Sequence, residues 1–184
     1  MMIRSKGTPS VRAGDFVCTR NPSPVLRWPI NRVQAFWELD GRAEYSHALR
    51  IINDNGMTFE AGIRVPGKRL HVIGTQDFYR AYAGSKVIIA RHEAFDYERF
   101  ADRFPAFFEQ YCGRIYPYHR LVLMVFPQLM KYLNIHDFGV CSELVAKQLF
   151  AEGLMTHWKG VYPAWLADMA KHYKQWRVVY EGVL

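Results

Sequence analysis

The chain lacks any apolar run long enough to cross a bilayer. Its longest, Leu121 to Phe126, falls far short of the roughly 20 residues that a helical span needs. The first ten residues, Met1 to Ser10, have no apolar core and do not read as a secretory signal. A cytoplasmic location is the expectation from that lack, with signal-independent export or incorporation in a larger particle left open. Cysteine is scarce: Cys18, Cys112 and Cys141, an odd number with no CxxC pair. This argues against a disulfide framework and against a four-cysteine zinc site. Cys112, His119, His136 and Cys141 are poorly spaced for a metal, so no metal and no other cofactor is expected. Without a Walker loop or a dinucleotide fingerprint, nucleotide chemistry has no support. Neither a glycine/serine linker nor a repeat divides the 184 residues. They read as a single domain, 1–184, with residues 1–12 as a flexible arm.

What the chain does have is apolar residues at 50% of the sequence, aromatics at 15% and a net charge of +7. The first is enough for one well-packed core. The charge suits an anionic partner such as nucleic acid, acidic membrane or cell-wall polymer. The basic residues are scattered, however, and no specific nucleic-acid motif accompanies them.

Ala13 to Thr19 reads as a short strand entered through a Gly-Asp turn, with Cys18 in the core. Three prolines, Pro22, Pro24 and Pro29, break up the next stretch, which also carries Trp28 and Trp37. Strands are expected at Glu44–Ile52, Met57–Gly62, Lys68–Gly74 and Ser85–Arg91, with a helical turn at Asp77–Tyr82. The second half reads as helical: Tyr97 to Tyr111 with a kink or boundary at Pro105, Leu121 to Leu133, about 139 to 152, and a short helix entered at Pro163. Trp176–Tyr180 closes the chain as a strand. Strands followed by helices predict an α+β domain, an antiparallel β-sheet packed against helices.

Within that plan, the stretch from Asp137 to Val145 draws the chemistry. It reads as a helix start with Cys141 in the first turn. A thiol there lies beside unpaired N–H groups at the positive end of the helix dipole, which favours the nucleophilic thiolate. Such a nucleophile needs a base and the base an orienting group. Seven histidines compete: His47, His71, His92, His119, His136, His157 and His172. His47 shares one face of an alternating strand with Leu49 and Ile51, a face suited to a base shielded from water. Glu60 is the candidate orienter, and the turn at 53–56 decides its reach. A two-residue loop at Asn53-Asp54 sets Glu60 opposite His47. A four-residue loop makes the pair diagonal, at roughly 7–8 Å. A tight Asn55-Gly56 turn puts Glu60 about 13 Å away along the strand.

These pieces together resemble the permuted papain-like amidases, the circularly permuted branch of the NlpC-like cysteine hydrolases. The likeness runs from about residue 13 to about residue 166. It rests on Gly14-Asp15-Phe16-Val17, Tyr45-Ser46-His47-Ala48-Leu49, Phe59-Glu60-Ala61, Gly113-Arg114-Ile115-Tyr116 and, most closely, Cys141-Ser142-Glu143-Leu144-Val145. Arg50 departs from it, standing where the family has a small or aliphatic residue. The resemblance implies a papain-like fold with Cys141 as nucleophile at a helix N-terminus, His47 as base and Glu60 as its partner. Tyr116, Tyr118 and Ser46 are the candidates for the oxyanion site or pocket. The implied chemistry is amide cleavage through a thioester, with peptidoglycan peptides as the expected substrate. An acyltransferase or lipase acting on lipid with the same residues is a second reading. A binding or structural module without turnover is a third.

Overall fold

The computed structural model describes residues 9–20, 30–32, 34–35, 43–61, 70–114 and 141–184, with the backbone alone at 60 and 61. Six strands form one antiparallel sheet: β1 (Phe16–Thr19), β2 (His47–Ile51), β3 (Thr58–Ala61), β4 (Leu70–Ile73), β5 (Lys86–His92) and β6 (Trp176–Val183). Their order across the sheet is β4-β3-β2-β1-β5-β6. Among the described residues, four longer helices accompany it: α1 (Thr75–Tyr82), α2 (Tyr97–Tyr111), α3 (Cys141–Ala151) and α4 (Pro163–His172). Residues 30–32 and 34–35 are helical too, in a stretch expected to be irregular. The α+β expectation holds. Leu121–Leu133, Trp28 and Trp37 lie outside the described residues.

Strand alternation splits the core in two. Val17, Leu49, Ile51, Val87 and Ile89 pack on one face against Phe78 and Tyr82 of α1. Phe16, Cys18, Ala48, Ile88 and Ala90 point the other way, against Val145, Ala146 and Leu149 of α3 and Leu166, Ala167 and Ala170 of α4. Further along that second face, Phe59 and Leu70 meet Leu144 of α3 and Tyr111 of α2, with Phe104, Phe107 and Phe108 beside them. Apolar residues at both strand parities are what a sheet covered on both sides requires. Opening the first turn of α2, the Asp96 carboxylate accepts from Arg99 N–H at 3.1 Å. The helix then runs through Pro105 to Tyr111 as expected, so of the two alternatives at Pro105, a kink or a boundary, the boundary is not taken. Pro163 takes the first turn of α4, where its missing N–H is no loss.

The turn between β2 and β3 is the four-residue loop. Leu49 pairs with Glu60 and Ile51 with Thr58, and Ile52 N–H donates to Met57 O at 2.8 Å. Asn53 explains why Asn55-Gly56 does not form its own tight turn. Its side-chain oxygen accepts from both Asn55 N–H and Met57 N–H at 3.1 Å. Gly56, at φ 79°, supplies a left-handed residue to the turn.

Candidate functional site

Cys141 is the first residue of α3, and its thiol is buried. The two residues after it fix that helix start in place. Ser142 Oγ donates to Val161 O at 2.7 Å, and Glu143 Oε1 accepts from Gly160 N–H at 2.9 Å. Both side chains are fully buried. The loop before α4 is thus bonded to the first turn of α3. The Cys-Ser-Glu run therefore has a structural basis beyond its thiol: serine and glutamate clamp the helix that carries it. Sequence reasoning missed that role, although two polar residues entering an apolar helical run were its visible signal.

Cys141 faces the sheet within the Phe59, Leu70, Tyr111 and Leu144 cluster. Cys18, on β1, is close enough that charge on Cys141 would oppose its own ionisation. Burial is the larger cause of the Cys18 shift, and together with Cys141 and Asp168 it pushes this thiol well above the ordinary cysteine range.

His47 opens β2, across from Thr19 of β1, and is buried. Its ring stacks on Tyr82 of α1, with centroids 6.0 Å apart and planes at 16°. It shares the parity of Leu49, so it lies on the α1 face of the sheet, whereas Cys141 and α3 lie on the other. The sequence pattern showed that the His47 face would be buried, but not which helix would bury it. The register sets Glu60 diagonal to His47, the intermediate of the three alternatives, and directly across from His71. Ser46 is buried next to His47, its N–H donating to Thr19 O at 3.0 Å. Tyr116 and Tyr118 lie outside the described residues.

The Gly-Asp opening of β1 is also explained by its contacts. Gly14 adopts φ 83° and donates to Ile51 O at 3.0 Å, and a side chain there would run into the Phe95 ring. Asp15, wholly buried, accepts from Arg91 Nε at 2.7 Å and Nη2 at 2.8 Å, and from Arg12 N–H at 2.8 Å. It is a structural carboxylate that holds the chain entry to β5.

Neither a family model nor a curated protein matches this chain. Among solved structures, it is similar to the crystal structure of the metalloprotein yiiX of Escherichia coli O157:H7, DUF1105, with a TM-score of 0.56 and 15% sequence identity. The match covers 95% of this chain and 99% of that one. At this identity the two share a fold. Among the described residues, no group of three or more His, Cys, Asp or Glu side chains could hold a metal ion. The described side chains thus do not fit a metal centre. Among those residues, no helix is long and apolar enough to cross a membrane.

Proposed function

We propose that this protein is a cysteine hydrolase of the permuted papain-like type, with Cys141 as the nucleophile of an amide-cleaving reaction. The observation that carries the reading is the clamped start of α3, where Ser142 and Glu143 fix the residue that bears the thiol. A nucleophile held at a rigid helix N-terminus has the adjacent N–H groups available to a developing oxyanion. The thiolate attacks the carbonyl carbon, the C–N bond breaks with a proton delivered to the departing amine, and water resolves the thioester.

His47 is the base in this proposal and Glu60 its orienting partner. The diagonal register between positions 47 and 60 supports their pairing. The proposal also requires the His47 ring, at the first residue of β2, to move off Tyr82 and reach Cys141 around the end of the strand while keeping its place diagonal to position 60. Peptidoglycan peptides are the proposed substrate class, and the net charge of +7 favours an anionic wall polymer.

The test is turnover by wild type and Cys141→Ala on two substrate sets. Amine release from muropeptides that disappears in the variant supports the amidase. Fatty-acid release from lipid esters, lost in the same variant, would move the reading to the lipid acyl hydrolase or transferase. Identical behaviour of the two proteins on both sets would remove Cys141 from any catalytic role.

A further inference from the structure

At the end of the sheet where β1 begins and β2 ends lies a cleft of about 440 Å³. It is at the opposite end of β2 from His47. Three arginines line it: Arg12, Arg91 and Arg177. Two of these, Arg91 on β5 and Arg177 on β6, are direct cross-strand partners. Like charges placed directly opposite one another destabilise a strand pair. Asp15 compensates only one of them, binding Arg91 through Nε and Nη2. Among the described residues, the exposed side chains of Arg12 and Arg177 have no hydrogen-bond or ion-pair partner.

Two other carboxylates line the cleft, Asp54 and Glu93. Asp54 accepts from Ala13 N–H at 2.9 Å, and its charge reaches Arg91. Counting Asp15, three carboxylates stand against three guanidinium groups, so the cleft is formally neutral, and the side chains of Arg12 and Arg177 are the donors left without a carboxylate contact. That balance fits one compact anion better than an extended polyanion such as nucleic acid, which needs a continuous basic track. Phe95 and the exposed Tyr97 add aromatic surface to the rim.

We propose that this cleft binds a phosphomonoester-class oxyanion through Arg177, Arg12 and the Nη1 edge of Arg91. Guanidinium groups match phosphate oxygens in pairs of parallel hydrogen bonds, and a dianion seated between Arg91 and Arg177 relieves their repulsion. The rim aromatics then lie against the group that carries the phosphate. This site is independent of the thiol chemistry proposed above.

The full chain would be titrated with inorganic phosphate and phenyl phosphate by calorimetry, and with phosphatidylcholine vesicles with and without phosphatidic acid. Melting temperatures would be followed in parallel. The expected result is saturable binding that raises the melting temperature, weakened at least ~10-fold in Arg177→Ala and in Arg12→Ala, with Arg177→Lys in between. Without phosphate, Arg177→Ala is expected to melt no lower than wild type, because the substitution removes a like-charge neighbour from an exposed position. Binding of the soluble esters identifies a free phosphomonoester. Arg177-dependent binding of phosphatidic acid vesicles alone identifies a lipid headgroup. No saturable binding to any probe, or undiminished binding by the Arg12→Ala/Arg177→Ala double variant, overturns the proposal.

Discussion

Arg50 Nη2 lies 2.6 Å from Glu152 Oε2, joining the middle of β2 to the residue just past the end of α3, 102 positions later in the chain. The Arg50 side chain is fully buried, and its guanidinium also lies 5.8 Å from the centre of the Phe95 ring and 5.7 Å from that of Phe100. Burial lowers the Arg50 pKa and raises that of Glu152, in each case against the pull of the partner. Desolvation is therefore the dominant influence on both. A buried pair of this kind is weak evidence for net stability, but removing one half of it strands the other charge. Glu152→Gln is accordingly expected to lower unfolding free energy by about 3–5 kcal/mol in a denaturant titration. The double variant Arg50→Met/Glu152→Leu should recover most of that loss. A single variant as stable as wild type would show that water reaches Arg50.

Gly14 combines a left-handed backbone with contact against the Phe95 ring. Gly14→Ala therefore meets both a conformational and a steric penalty. The expected loss is at least about 1–3 kcal/mol, read from the shift of the denaturation midpoint. Phe95→Ala in the same background should restore the steric part while leaving the conformational part. If Gly14→Ala is neutral, the ring moves freely and β1 is not fixed from this side.

Thiol reactivity separates Cys18 from Cys141. Cys18 is held as the protonated thiol at neutral pH, since burial raises its pKa well above the ordinary range. Iodoacetamide should therefore leave it unmodified from pH 6 to pH 8 in the folded protein. On the proposed chemistry, Cys141 labels fast at pH 6. A Cys141 that first reacts near pH 8.5, like an ordinary thiol, would contradict thiolate activation.

His47 gives a second, sharper reading of the same experiment. If it is the base, His47→Ala slows labelling of Cys141 at pH 6 by at least ~10-fold with little change in fold. Tyr82→Ala should then accelerate labelling, because it frees the ring that now stacks on it. Unchanged labelling in both variants would transfer the base role to another histidine. His119 and His136 lie outside the described residues and are the next to substitute.

The clamp on α3 has its own signature. Ser142→Ala leaves Val161 O without its 2.7 Å donor in a buried position. The expected loss is about 1–3 kcal/mol, together with slower turnover from a less well-held Cys141. Ser142→Thr keeps the hydroxyl and tests whether the bond or the volume matters. Turnover unaffected by loss of the hydroxyl would detach the clamp from catalysis.

Most strands and helices α1 to α4 were legible because each carries a local signal. Phe78 and Tyr82 repeat at helical spacing, Pro163 starts α4, and Gly56 punctuates the β2–β3 turn. Local signals reach only as far as neighbouring residues. The Asn-Gly dipeptide favoured a tight turn, yet Asn53 captured two backbone N–H groups and enlarged the loop. The place of Cys141 in the first turn of a helix and the burial of the His47 face of β2 were readable too. Which face of β2 would receive α3 was not, because both parities of that strand are buried. Arg50 looked like a departure from a small or aliphatic position. Its partner Glu152 follows a separate helix, and only the assembled fold brings the two charges together.

The order of the strands has a consequence for how the chain can be cut. β1 comes first in sequence but sits inside the sheet, hydrogen-bonded to β2 on one side and β5 on the other. Among the described residues it is the only strand joining the β4-β3-β2 group to the β5-β6 pair. Trimming a terminus usually frays an edge. Here, deletion through Thr19 would divide the sheet into two unconnected ribbons, each with a newly bare edge open to the strands of other molecules. During synthesis the same strand must wait for residues as distant as Ala90 before both its sides are paired. Folding of this sheet is therefore governed by late, long-range closure around its earliest segment.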